Sequence, residues 1–162
     1  MAFVPVDFET ESLSARLEEA GLRRQQKSLF ILEGLLMYLR PGAVEELFRT
    51  IQGYAGPGSS VVFDYVRASV LRGEAHGDGE REIVARVTQA HELWHFGLET
   101  DDIGDLLAAY GLRLAEHRDA TALEEAYFRN PSGKIVGHVN GTHCLVTAEM
   151  VQAHTAWEQP AR

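Results

Sequence analysis

Three short apolar runs, each with an acid at or near its carboxyl end, constrain the fold of this chain most. They are "FVPVDF" with Asp7, "SLFILEG" with Glu33 and "SSVVFDYV" with Asp64. "SLFILEG" is continuous rather than alternating, the pattern of a strand buried on both faces of a parallel sheet. Segments of helical period separate the runs. Ser12 to Ala20 sets Leu13 and Leu17 on one face and stops at Gly21. After Pro41, "GAVEELFRTIQGYA" sets Val44, Leu47, Phe48 and Ile51 at helical spacing. Strands alternating with helices predict an α/β layered fold with a largely parallel sheet.

The remainder extends the pattern. "RGEAHGDGE" (72–80) reads as an exposed loop, "REIVARVTQAHELWHF" as a long helical region, and "TDDIGDLLAAYG" as a helix with Thr100 as N-cap and Gly111 as stop. "LRLAEHRDA" reads as a strand and "TALEEAYF" as a helix. "GKIVGHVNGTHCLVTAEM" reads as a closing hairpin that turns at Asn140-Gly141. With 162 residues, 45% of them hydrophobic, residues 1–162 make one domain with its own core.

The net charge of −9 argues against nucleic acid and against anionic membranes as partners, and is kinder to a cationic or neutral small molecule. No apolar run approaches the roughly 18 residues of a membrane span, and the N-terminus lacks a basic region followed by a long apolar stretch. Cys144 stands alone, which excludes an internal disulfide and fits a reducing compartment. The expectation is a cytoplasmic protein.

In open α/β sheets ligands sit outside the carboxyl ends of the strands. Asp7, Glu33 and Asp64 then stand at one lip, where Glu33 leaves the greasiest stretch of the chain without being buried in it. The bland alternative is that each acid caps the next helix or sits in solvent.

With those residues in place the pattern resembles the leucine carboxyl methyltransferase-like family of S-adenosylmethionine-dependent methyltransferases. "FVPVDF", "LFILEGLLMYL" and "SSVVFDYV" carry the resemblance, joined by "FGLETDDIGDLLAAYGLRL", and it covers residues 3 to 119. It implies a doubly wound, Rossmann-like sheet, mostly parallel with an antiparallel last strand. "FVPVDF" would be the third strand, with Asp7 accepting from the adenine amino group of S-adenosylmethionine and Phe8 beside the ring. Glu33, ending the fourth strand, would face the charged amino-acid end of the cofactor, and Tyr38 would lie near cofactor or substrate. Tyr38 read without the resemblance is a tyrosine packing its ring at a helix start. Asp64 matches the fifth-strand pattern without an assigned role.

By the same resemblance the chain lacks the first two strands and their glycine-rich turn. "FVPVDF" is then expected to be relocated, frayed or paired with another chain, cofactor binding to be very weak, and homo-oligomers to form through an exposed sheet edge. The implied reaction is methyl transfer to a carboxylate or hydroxyl of a small molecule or a protein C-terminus, with no metal. Two other readings stand beside it. One is a non-catalytic remnant or partner-completed module. The other is a zinc peptidase through "HELWH", with His91 and His95 on one helix face and Glu92 as general base.

Overall fold

The computed structural model describes residues 2–74 and 93–151, together with Ile83, Ala85 and Gln89. Among them four strands form one sheet: β1 (Leu29–Leu32), β2 (Ser60–Val66), β3 (Leu112–Arg118) and β4 (His143–Met150), in spatial order β1-β2-β4-β3. β1 and β2 are parallel, and β4 lies antiparallel between β2 and β3. Three strands therefore share one direction, and the last in sequence is reversed.

The helices whose bounds are described are α1 (Leu13–Glu19), α2 (Pro41–Tyr54), α3 (Ala68–Leu71), α4 (Ile103–Ala109) and α5 (Ala120–Tyr127), and Ile83, Ala85 and Gln89 are helical as well. Pro41 opens α2, where its missing N–H costs no helical bond. The α2 stripe Val44, Leu47, Phe48 and Ile51 is buried, as its spacing predicts. Phe48 meets Phe63 of β2 edge-on at 5.6 Å and stacks on Tyr110 at 5.4 Å, so α2, the end of α4 and the sheet share one core. α1 is secured by its N-cap Ser12 and by the Tyr54 hydroxyl, which donates to the Ser14 carbonyl at 3.0 Å.

Several expectations are corrected. "FVPVDF" forms no strand, the frayed outcome expected for it in a chain without its neighbours: residues 2–7 are irregular, Pro5 has no N–H to give a ladder, and no described strand flanks them. β1 is an edge strand, not one buried on both faces; β2 covers one side, and Leu29 and Ile31 are 62% and 64% exposed. The closing hairpin is absent, because β4 pairs with β2 and β3, whereas residues 136–139 are irregular and Ile135 makes an isolated bridge to Arg129. Asn140 instead makes a local turn by accepting from the Thr142 N–H at 3.1 Å. Thr100 is not a cap but lies inside the 3₁₀ turn Thr100–Asp102 that leads into α4. The helix expected through Phe96 does not include Leu93–Phe96, which are irregular, and most of 75–92 lies outside the described residues.

Candidate functional site

The parallel strands β1 and β2 end side by side, and the sequence punctuates both ends. After Leu32 come Glu33 and Gly34, and Gly34 has φ +60°, which a Cβ would strain. The turn is held from the neighbouring strand: the Gly34 N–H donates to Asp64 Oδ1 at 2.6 Å. Asp64, which the sequence left without a role, therefore fixes the point at which the chain leaves β1. Glu33 is exposed at that point and makes no ion pair among the described residues. The 3₁₀ turn Leu36–Tyr38 follows, burying Leu36 and Met37 and leaving Tyr38 40% exposed at the same lip.

A segment that sequence reasoning treated as helix forms a wall here. The N–H groups of His95 and Phe96 both donate to the Met37 carbonyl, at 2.7 and 3.2 Å, and the Leu98 N–H donates to the Val66 carbonyl at 3.1 Å. Residues 95–98 thus bridge the turn after β1 and the end of β2. A Cβ at Gly97 would lie 3.0 Å from the Val66 carbonyl oxygen and 2.9 Å from the Leu71 Cδ1, so a larger residue would have to push neighbours aside.

Trp94 meets His143 edge-on at 5.7 Å, and its indole Nε1 is buried without a hydrogen-bond partner among the described residues. His143 stands opposite Val66 in the β2–β4 register. Burial pushes its pKa down, and the Asp64 carboxylate partly opposes this, so the ring is neutral above pH 6.5. Sequence reasoning missed Trp94 and His143. Their proximity comes from an antiparallel register between distant segments, which no local spacing encodes.

The N-terminal acid is used differently. Asp7 accepts from the Glu9 N–H at 2.9 Å and the Thr10 hydroxyl at 2.8 Å, and these bonds hold its carboxyl below the usual range. Its carboxylate shapes its own turn. That turn docks beside the lip through a Glu9–Arg40 ion pair at 3.4 Å and through Phe8, which packs against the core. The fold so gathers Glu33, Tyr38 and Asp64 at one end of the sheet and tethers the Asp7–Phe8 turn to the segment after Tyr38. A cavity of about 640 Å³, lined by Arg24, Thr50, Gly53, Tyr54 and Tyr110, lies at the other end, where the strands begin.

Most of the zinc motif lies outside the described residues: His91 and Glu92 are among those not described, and His95 stands in an irregular segment. No group of three metal-ligating side chains converges among the described residues.

Sheet and lip define an α/β protein of the kind that holds a ligand at strand carboxyl ends. The model of the leucine carboxyl methyltransferase family matches residues 1–52. "Putative S-adenosyl-L-methionine-dependent methyltransferase YktD" of Bacillus subtilis is 26% identical over 129 residues, covering 79% of this chain and 42% of that protein. A "Putative S-adenosyl-L-methionine-dependent methyltransferase" of Mycolicibacterium paratuberculosis is 30% identical over 121 residues, covering 67% of this chain and 37% of the relative. A solved structure described as "Conversion of a Disulfide Bond into a Thioacetal Group during Echinomycin Biosynthesis" shares the fold, with TM-score 0.50 and 12% identity over 84% of this chain and 52% of that one. The chain is a relative of the leucine carboxyl methyltransferase-like family of S-adenosylmethionine-dependent methyltransferases. It spans 37–42% of the length of the two curated relatives described.

Proposed function

We propose that this chain is the carboxyl-terminal part of an S-adenosylmethionine-dependent O-methyltransferase, with a carboxylate or hydroxyl as acceptor. The observation that carries the reading is the exposed Glu33 carboxylate, without an ion pair among the described residues, at a glycine turn pinned by Asp64. S-Adenosylmethionine presents an ammonium and a sulfonium, and a carboxylate fixed at the lip is the group to receive the ammonium. Tyr38 lies beside that position. Phe8 supplies an apolar surface for the adenine, and Asp7, anchored by its own turn, offers the remaining capacity of its carboxylate to the adenine amino group. Methyl transfer is an in-line displacement at carbon, so the protein's contribution is chiefly alignment of acceptor oxygen, methyl carbon and sulfur. A carboxylate acceptor needs no base. A hydroxyl acceptor does, and neutral His143 at this end of the sheet has the protonation state for it.

That the chain spans less than half of these relatives supports a site with one wall supplied elsewhere, and affinity in the isolated chain is accordingly weak. The test is a titration of the isotopically labelled chain with S-adenosylmethionine, followed by amide shifts. Saturable shifts at residues 7–8 and 33–38 are expected, and Glu33→Gln should weaken them about tenfold, the effect of losing one charge-assisted bond. Shifts absent at millimolar cofactor, or located elsewhere, would sink the assignment. A second reading, a partner-completed module without activity of its own, draws on the uncovered β1 edge. Methyl transfer by the chain alone would exclude it.

A further inference from the structure

We propose that His143 is the general base of this site, that Asn140 and Asp64 position it, and that the acceptor it serves is a phenolic hydroxyl. The inference deepens the methyl-transfer reading and rests on it. The turn before β4 sets the tautomer. Asn140 Oδ1 accepts from the Thr142 N–H at 3.1 Å, which fixes that atom as the oxygen, and it stands 3.5 Å from His143 Nδ1. An oxygen there places the ring proton on Nδ1. The lone pair is then on Nε2, which has no hydrogen bond among the described residues. Asp64 approaches from β2. It lies opposite Leu145 while His143 lies opposite Val66, so Asp64 and His143 are diagonal neighbours on one face of the sheet. Among the described residues Asp64 is the charged group that acts on this ring, and Trp94 meets it edge-on at 5.7 Å.

Charge and acidity select the acceptor. In the reacting step the hydroxyl proton passes to Nε2, the oxygen bonds to the methyl carbon, and the carbon–sulfur bond breaks with its electron pair left on sulfur. The imidazolium so formed later gives its proton to solvent. An ammonium and an imidazolium then both need partners at the lip, and the fold supplies two carboxylates, Glu33 and Asp64. Asp64 Oδ1 stays on the Gly34 N–H, so one side chain steadies both the cofactor turn and the base. Half-buried and uncharged at neutral pH, His143 is a weak base. A phenol ionises at about pH 10 and an aliphatic hydroxyl far above that, so the phenol is the acceptor whose proton this ring can take. A carboxylate acceptor needs no base and is repelled by the two acids at the lip. The Trp94 ring beside His143 offers an aromatic acceptor a flat partner.

Nitrogen NMR of the histidine rings in the labelled 162-residue chain, assigned with His143→Gln and run without cofactor, is the test. The Nδ1–H form is expected at His143. Asn140→Ala should mix the two tautomers, Asn140→Asp should keep the Nδ1–H form, and Asp64→Asn should move the ring's titration to lower pH. Phenol should shift Nε2 saturably, benzoate should bind at least tenfold more weakly, and Asn140→Ala and Asp64→Asn should each weaken phenol severalfold. Circular dichroism checks folding, and Asn140→Asp keeps the assay decisive should Asn140→Ala disrupt the turn. An Nε2–H form in the parent, no phenol shift at tens of millimolar, benzoate matching phenol, or phenol binding indifferent to both variants would overturn the inference. Because these samples hold no cofactor, failure here leaves the shifts at residues 7–8 and 33–38 to decide the methyl-transfer reading separately.

Discussion

The two edges of the sheet are built on opposite plans. At the β3 edge Arg113 pairs with Glu149 across the sheet at 2.7 Å, Arg118 pairs with Glu116 at 2.7 Å, and the register shifts between Leu114 and Glu116. Charges and a bulge are the standard means by which proteins keep an edge from recruiting another strand. The Arg118 guanidinium also lies 5.5 Å over the Tyr127 ring of α5, which further covers that side. The β1 edge has none of these devices along Leu29–Leu32, and presents Leu29 and Ile31 instead. One edge is finished with charges and a bulge, and the other presents apolar side chains along an unpaired strand.

Breaking that contrast has effects of graded size. The largest belongs to the interior that both edges share. Phe63→Ala, in a residue 1% exposed between the two edges, should cost about 3–5 kcal/mol. Ile31→Ala on the β1 edge should cost less than about 0.5 kcal/mol in the separated chain. Urea denaturation at low protein concentration measures both, and equal losses would mean that β1 is buried after all. Next comes the turn that ends the β1 edge. Gly34→Ala forces a Cβ into the left-handed region at φ +60° and should cost about 1–2 kcal/mol by the same method, although its Cβ meets nothing within 4 Å. A loss near zero would show that the turn relaxes, and that Asp64 does not hold it.

A smaller effect follows from pH. Burial lowers the pKa of His143 and of His117, so the unfolded chain binds their protons first as pH falls below 6.5. Stability is full above that value and declines as pH drops from 6.5 through the lowered folded values, ahead of carboxylate titration. Thermal melts at stepped pH read the decline, and the His117→Gln/His143→Gln variant should flatten it. A variant with the same slope as the parent would place the proton uptake elsewhere. The smallest effect is at the β3 edge. Arg113→Ala removes an exposed pair and should cost no more than about 0.5–1 kcal/mol, reduced further by salt. A larger loss there would mean that the charged edge carries stability as well as solubility.

The same contrast shows what could be read from the sequence. Helix α2 was legible because its apolar stripe has one period and one face, and β2 because its run of apolar residues is interior. β1 was legible as a strand but not as an edge, since edge status depends on neighbours that a local run does not name. "FVPVDF" has strand composition, yet composition cannot supply a ladder partner. At the lip, Glu33 and Tyr38 were accessible from the resemblance. The Asp64–Gly34 bond, the wall at residues 95–98 and the Trp94–His143 contact arise from long-range placement and left no local trace. The tight space at Gly97 comes from the Val66 carbonyl and the Leu71 side chain, which no local pattern announces.

The position of β4 has a further consequence, for a chain being made from its amino end. The strand that fills the centre of the sheet is the last of the four to be synthesised, and it supplies β2 and β3 with their shared neighbour. Until residues 143–150 emerge from the ribosome, β2 lacks one flank and β3 lacks both. At about 5–20 residues per second the nascent chain spends seconds in that state. Its lasting open edge at β1 is then the remnant of a larger exposure, most of which closes only when β4 arrives.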